Sequence, residues 1–120
     1  MAAATTTDDT AAAAELPAWD AWGFGRACKR GDLARVRELT SPEHMAAHSG
    51  VDLNTRAFLN ATGLWHACVN GRSEVVRHLT SPAMLAAGID VNKGGSYGTS
   101  PLATAAYNGR VEVVRRLLES

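Results

Sequence analysis

The sequence predicts an all-α fold, an α-solenoid of stacked helix-turn-helix repeats, and two observations support this prediction. A pattern of 18 residues occurs three times, over residues 22–39, 62–79 and 100–117, and the copies align without a gap. Their turn glycines are Gly31, Gly71 and Gly109, so successive copies lie 40 and 38 residues apart. A regular period in this range is typical of stacked supersecondary units that share one continuous core.

Each copy predicts two short amphipathic helices. In the second copy, Leu64, Ala67 and Cys68 have the i, i+3, i+4 spacing of one helical face. The corresponding positions in the first and third copies are also apolar: Phe24, Ala27, Cys28, Leu102, Ala105 and Ala106. The turn glycine ends the first helix, because glycine readily adopts the left-handed conformation that a helix stop requires. The second helix has an apolar stripe of its own, with a glutamate near its start and arginines near its end in the second and third copies, which suits the helix dipole.

A helical turn is also expected in each segment that separates one copy from the next. Ser41-Pro42 and Ser81-Pro82 are helix-start signals, with serine as the N-cap and proline at the first helical position. We expect these turns to lie on the outer side of the stack.

The second and third copies resemble ankyrin repeats. The third reads S-P-L-x-x-A-A-x-x-G-x-x-E-V-V-x-x-L-L from Ser100, and residues 88–92 read G-I-D-V-N where the family has G-A-D-V-N. The resemblance implies helix pairs linked by short β-turn fingers, with about 33 residues per repeat. Because the observed periods are longer, we expect lengthened connections from the second helix to the finger.

The chain divides into a tail and a repeat domain. Residues 1–15 are rich in Ala and Thr and have no basic residue, which predicts a disordered tail and excludes a signal peptide. We expect an ankyrin-like repeat domain over residues 16–120, with repeats at about 20–58, 59–96 and 97–120, the last incomplete. No apolar run is long enough for a membrane span, and we expect a location in the cytoplasm or the nucleus.

Two tryptophans stand at the start of the repeat domain. Trp19 and Trp22 are expected to pack over the N-terminal end of the stack, since burial of large indoles is favourable. The alternative is an exposed aromatic docking motif.

No catalytic or metal-binding constellation is evident. Cys28 and Cys68 hold the same position in neighbouring copies, and helices stacked about 8–10 Å apart hold such cysteines too far apart for a disulfide. Buried free thiols in a reducing compartment are therefore expected. His44 and His48 have i, i+4 spacing but only Glu43 nearby as a further ligand, which favours a solvated pair. We expect no metal, no cofactor and no enzymatic activity, and the balanced charge of 12 basic and 12 acidic residues argues against a nucleic-acid surface.

The resemblance implies a binding surface on the concave face, formed by the exposed side of the first helices and the finger tips. The matching positions are Arg26, Lys29, Arg30, Phe58, His66, Asn70, Tyr97, Thr104, Tyr107 and Asn108. The alternative for each is an ordinary solvated residue, and the two asparagines could instead cap their helices. Trp65 stands where the family usually has a histidine that braces the turn, and we interpret it as structural packing, with a finger-side contact as the alternative.

The leading hypothesis is a non-catalytic protein-protein interaction module that binds a protein or peptide partner on this concave face. The alternative is an N-terminal regulatory or targeting fragment of a larger enzyme or channel whose activity lies beyond Ser120. A weaker hypothesis is self-association, or stacking of further repeats, through the apolar residues of the last helix. The sequence does not identify the partner, because a fold of this kind supports many functions.

Overall fold

The computed structural model describes residues 19–95 and 98–119 of the 120-residue chain. Within these ranges the helices are α1 (Ala21–Arg30), α2 (Leu33–Leu39), α3 (Pro42–Ala47), α4 (Gly63–Val69), α5 (Ser73–Leu79), α6 (Pro82–Ala86), α7 (Pro101–Tyr107) and α8 (Val111–Glu119), with a 3₁₀ turn at Phe58–Asn60. These ranges contain no β-strand. The predicted all-α architecture of helix pairs is confirmed, while the expected tail of residues 1–15 lies outside the described residues.

The bounds of the helices follow from the residues at their ends. Gly31, Gly71 and Gly109 have φ angles of 76°, 69° and 70°, a conformation that costs a residue with a Cβ about 1–2 kcal/mol. The hydroxyls of Thr62 and Ser100 accept hydrogen bonds from the backbone N–H groups three residues later, at 3.1 Å in both cases. The glycine stops predicted from the sequence are therefore confirmed, and hydroxyl caps begin α4 and α7.

The helix pairs form two layers around one core. The first helices, α1, α4 and α7, lie side by side in one layer, and the second helices, α2, α5 and α8, form the other. Ala27, Ala67 and Ala105 hold the same position in the three first helices and are fully buried. Their small side chains allow neighbouring helices to approach closely, and larger apolar residues fill the space between the layers.

Arginine side chains connect each repeat to the one before it. The Nε of Arg72 donates to the carbonyl of Lys29 at 2.9 Å, and the Nε of Arg110 donates to the carbonyl of Val69 at 3.1 Å. Both carbonyls lie in the last turn of a first helix, where backbone acceptors lack helical partners. The two contacts therefore fix neighbouring repeats with the same geometry.

The second helices carry an equivalent pair of contacts. The Nε2 of His78 lies 2.8 Å from the hydroxyl of Thr40, which itself donates to the carbonyl of Val36 at 2.7 Å. His78 is consequently the donor in this contact. The Nε of Arg116 donates in the same way to the hydroxyl of Thr80 at 2.9 Å.

The lengthened connections contain the helical turns that the sequence predicts. Pro42 and Pro82 are the first residues of α3 and α6, and the hydroxyl of Ser41 accepts from the backbone N–H of His44 at 3.1 Å. These short helices pack against α2 and α5.

The fingers contain the expected β-turns. The backbone N–H of Thr55 donates to the carbonyl of Asp52, and that of Lys93 donates to the carbonyl of Asp90, both at 3.3 Å. Hydrogen bonds between residues three apart define tight turns at these two places.

The two N-terminal tryptophans differ in their environment. Trp19 is buried against Phe24, with ring centroids 4.9 Å apart, and its Nε1 donates to the carbonyl of Leu39 at 2.8 Å. The predicted packing is confirmed for Trp19 and wrong for Trp22, which is 57% exposed. Trp22 remains accessible because it lies on the side of α1 that also carries Lys29.

The apolar pattern of the third copy is only partly buried. Leu102 and Ala106 are exposed, whereas the corresponding Leu64 and Cys68 are buried. The difference arises because α4 is covered by helices on both sides, while α7 packs on one neighbouring first helix in the described part of the chain. Our expectation of an equivalent buried face therefore holds at Ala105 alone.

Candidate partner-binding face

One side of α1 carries aromatic and cationic side chains. Trp22, Arg26 and Lys29 are exposed, while Phe24, Ala27 and Cys28 on the other side of the helix are buried. The spacing of i, i+4 and i+7 places the three exposed residues on one face of the helix. Arg26 and Lys29 thus lie where the sequence predicts, and the exposure of Trp22 agrees with the alternative of an exposed aromatic residue.

Phe58 extends this face from the first finger. Its ring meets the indole of Trp22 edge-on at a centroid distance of 5.7 Å, and the ammonium of Lys29 lies 5.7 Å from the centroid of the same ring. The close approach depends on Gly25, since a Cβ there would lie 3.0 Å from the Cβ of Phe58. Together with Arg26 and the exposed Leu59, these residues form what we call the α1–finger surface: Trp22, Arg26, Lys29, Phe58 and Leu59.

His66 holds this surface in place from inside the molecule. Only 1% of the residue is accessible, and its Nε2 lies 2.6 Å from the carbonyl of Phe58. Since a carbonyl only accepts, Nε2 carries the proton. Burial lowers the pKa of the imidazole, and the charge of Lys29 acts in the same direction. This placement corrects our expectation that His66 contacts a partner, because the ring instead anchors the finger to α4.

Thr104, the equivalent residue of α7, is also buried and requires the same correction. Its hydroxyl oxygen accepts a hydrogen bond from the indole Nε1 of Trp65 at 3.1 Å. The indole lies against the second finger, where a Cβ on Gly95 would come within 3.3 Å of the ring. The interpretation of Trp65 as structural packing is confirmed, and Thr104 serves as its acceptor.

Asn70 and Asn108 cap the helices that precede them. The amide of Asn70 donates to the carbonyl of His66, and that of Asn108 donates to the carbonyl of Thr104, both at 2.8 Å. Each of these carbonyls also accepts the backbone N–H of the same asparagine, at 3.2 Å and 3.1 Å, so the side-chain amide adds a second hydrogen bond at the helix end. The capping alternative therefore describes both side chains, and contact with a partner stays a prediction.

The remaining predicted residues are spread along the stack. Tyr107, at the end of α7, is 91% exposed. Arg30 is exposed beside the turn that follows α1, where it borders a shallow depression with Arg72 and Glu74. Tyr97 lies outside the described residues. The structure thus brings Lys29 and Phe58 together, and places Arg30 and Tyr107 apart from them.

The charge of the α1–finger surface is unbalanced. In residues 19–95 and 98–119, the side-chain ion pairs join Arg35 to Glu38 and Arg115 to Glu112, within α2 and within α8. No carboxylate among these residues lies within 4 Å of the charged groups of Arg26, Lys29 or Arg30. Arg56 adds a further cation in the first finger, where its Nε donates to the carbonyl of Gly94 at 2.9 Å. No helical or repeat periodicity marks this residue in the sequence.

The described residues offer little for covalent or metal chemistry. Cys28 and Cys68 are buried free thiols, as predicted, and burial raises the pKa of both, that of Cys68 to about 12. The rings of His44 and His48 stack at 4.2 Å. Across the described ranges no three His, Cys, Asp or Glu residues converge into a site for a metal ion. No helix in those ranges has the length and apolar character needed to cross a membrane.

Comparison with known proteins agrees with this architecture. The family model for ankyrin repeats (3 copies) matches residues 24–120. The palmitoyltransferase AKR1 of Naumovozyma castellii is 43% identical over 70 residues, which are 58% of this chain and 8% of that enzyme. The chain therefore spans only a small part of the length of this curated relative.

Solved structures show the same fold. A chain in the complex of the predatory endopeptidase Bd0816 from Bdellovibrio bacteriovorus with the immunity protein Bd3460 superposes with a TM-score of 0.63 and 25% identity, over 81% of this chain and 45% of that one. The human ASB11 ankyrin repeat domain superposes with a TM-score of 0.59 and 26% identity, over 80% of this chain and 38% of that one.

Proposed function

This chain belongs to the ankyrin repeat family, and we propose that it is a non-catalytic interaction module that binds a protein or peptide partner on its concave face. The observation that carries the proposal is the set of side chains that the first helices leave outside the core. Arg26 and Tyr107 are exposed and make no hydrogen bond or ion pair with the described residues. Arginine, tyrosine and tryptophan are enriched among the residues that dominate binding energy.

The buried residues support a binding role over a catalytic one. The two thiols and His66, which in other settings could act as nucleophiles or bases, lie inside the stack and contribute to packing. Free thiols also suit a reducing compartment, so we propose a location in the cytoplasm or the nucleus.

The proposal is tested by affinity capture from an extract of the source cell. Wild type is compared with Arg30→Glu/Tyr107→Ala, in which two exposed side chains of the proposed face are changed, and with Arg77→Glu as the control. Arg77 is exposed on α5 in the opposite layer. We expect a partner that is retained by wild type and by the control but lost by the double variant. Identical captured proteins for all three, with unchanged circular dichroism spectra, would show that the concave face does not bind them.

A second candidate function rests on the similarity to the palmitoyltransferase AKR1. In this proposal the repeats are the regulatory or targeting part of a larger enzyme, and any acyl transfer belongs to residues outside this sequence. Immunoblotting of the source cell with an antibody against residues 60–80 separates the two candidates. A band at 12.7 kDa as the sole product contradicts the larger enzyme, and a much larger band supports it.

The apolar residues at the C-terminal side of the stack support a third proposal, contact with further repeats or with a second copy. Val111 and Leu118 are exposed there, next to a depression lined by Ala106 and Val114. Light scattering at high protein concentration tests self-association, which a constant monomer mass would rule out.

A further inference from the structure

We infer that the α1–finger surface binds an acidic peptide segment that carries a large apolar side chain. This inference rests on the proposed function and specifies the kind of partner. Its basis is the combination of unpaired cations, a fixed aromatic platform and an exposed leucine on strained backbone.

The cations define the charge of the partner. Arg26 and Lys29 lie one helical turn apart on α1. Arg56, in the finger that contacts this helix, is a further cation outside this surface, because its Nε donates to the carbonyl of Gly94 in the second finger. None of them has a carboxylate of the described chain within 4 Å. Such a surface attracts glutamate and aspartate side chains, and exposed charges of this kind accelerate association in a salt-dependent way.

Contacts within the chain already position the aromatic platform, Trp22 and Phe58. Phe58 is held from below by the hydrogen bond of its carbonyl to His66 and by close packing on Gly25. Trp22 contacts the edge of the Phe58 ring, and Lys29 lies over it. Because these contacts already position the two rings, a partner that packs on them avoids part of the cost in side-chain conformational entropy.

Leu59 supplies the apolar contact. Its φ and ψ angles are 55° and 29°, in the left-handed region, and 64% of the residue is exposed. A residue with a branched apolar side chain is unfavourable in that conformation, where asparagine or glycine is preferred. Within the described chain, this leucine has both a strained backbone and little burial. Strained residues of this type concentrate at functional sites, and here the gain is an apolar side chain beside Phe58.

The distribution of charge favours a short acidic peptide over a nucleic acid. The positions of α4 and α7 that correspond to Arg26 and Lys29 are neutral: His66, Val69, Thr104 and Tyr107. At these equivalent positions of the first helices, positive charge therefore occurs in α1 alone, whereas a nucleic-acid surface needs a basic stripe that follows the phosphate backbone.

Fluorescence anisotropy with the full chain tests the inference. The probe is a short fluorescein-labelled peptide of glutamates around a central leucine. Three further probes are the same peptide with a central serine, a peptide with lysines in place of the glutamates, and a single-stranded oligothymidylate. We expect saturable binding of the glutamate-leucine peptide, weaker binding at higher salt, and at least about tenfold loss of affinity in Arg26→Glu/Lys29→Glu. Arg77→Glu is the matched control and should bind as wild type.

A second variant tests the apolar contact separately from folding. In Leu59→Asn the new residue suits the left-handed backbone, so the thermal midpoint should be unchanged or higher. Its affinity for the leucine peptide should fall several-fold, to the level of the serine peptide. The apolar part of the inference would be overturned if wild type bound the leucine and serine peptides equally well, and if Leu59→Asn bound them with that same affinity.

The remaining outcomes also decide the matter. If the glutamate-leucine peptide shows no saturable binding, or if oligothymidylate binds as tightly, the inference is wrong. It is equally wrong if Arg77→Glu weakens peptide binding as much as Arg26→Glu/Lys29→Glu. The proposed function stands without the inference if Arg30→Glu/Tyr107→Ala loses a captured partner while the acidic peptide fails to bind. Both fail if the captured proteins are the same for wild type and Arg30→Glu/Tyr107→Ala and the acidic peptide shows no saturable binding.

Discussion

Replacement of His66 by alanine tests whether the first finger depends on a buried side chain of α4. The change leaves the carbonyl of Phe58 with only its longer hydrogen bond, from the backbone N–H of Ala61 at 3.3 Å, and loss of one of two hydrogen bonds costs about 0.5–1.5 kcal/mol. It also removes the imidazole from between the rings of Phe58 and Trp65, whose centroids lie 5.2 Å and 5.4 Å away. Loss of that packing and the resulting cavity cost a further 1–2 kcal/mol, to order of magnitude.

We therefore expect the free energy of unfolding of His66→Ala to fall by about 2 kcal/mol. For a repeat domain of this size, the thermal midpoint should fall by about 8–16 °C. The assay is thermal and urea unfolding followed by circular dichroism at pH 7.5. The control is His44→Ala: that ring stacks on His48 at 4.2 Å, but it is only half-buried, so we expect a loss below about 1 kcal/mol. A loss below about 1 kcal/mol in His66→Ala, or equal losses in the two variants, would refute the anchoring role of His66.

Two further predictions concern pH and the N-terminal end. Burial lowers the pKa of His66 and His78 in the folded chain, so these histidines bind protons more readily in the unfolded chain. The free energy of unfolding should therefore be highest above about pH 6.5 and should fall as the pH drops below that value. Urea titrations across this range check the sign, and stability that rises on acidification contradicts it. Trp19→Phe removes the buried donor to the carbonyl of Leu39 and should cost about 1–3 kcal/mol. Trp22→Phe, at the exposed position, should stay within about 0.5 kcal/mol of wild type in the same unfolding experiment.

Most of the fold could be predicted because its determinants are local and repeated. The periodic spacing of apolar residues sets the two faces of each helix, and a glycine such as Gly71 ends a helix by adopting a conformation that other residues avoid. The Ser-Pro pairs likewise begin α3 and α6. Each of these signals spans only a few residues, so one amino-acid sequence is enough to recognise them.

The candidate site was predicted less well, because exposure of a first-helix residue depends on segments distant along the chain. Arg26, His66 and Thr104 hold the same position in successive copies, so the repeat pattern predicts the same exposure for all three side chains. In the structure Arg26 is exposed, whereas His66 and Thr104 are buried.

The sequence by itself therefore determined the repeats, their helices and their turns, and the tertiary structure decided which surface residues remain available to a partner. The physical reason is coverage. His66 lies beneath Phe58 from the preceding finger, and Thr104 meets the indole of Trp65 from the preceding repeat. Such contacts form only when the repeats stack, and helical periodicity does not encode them.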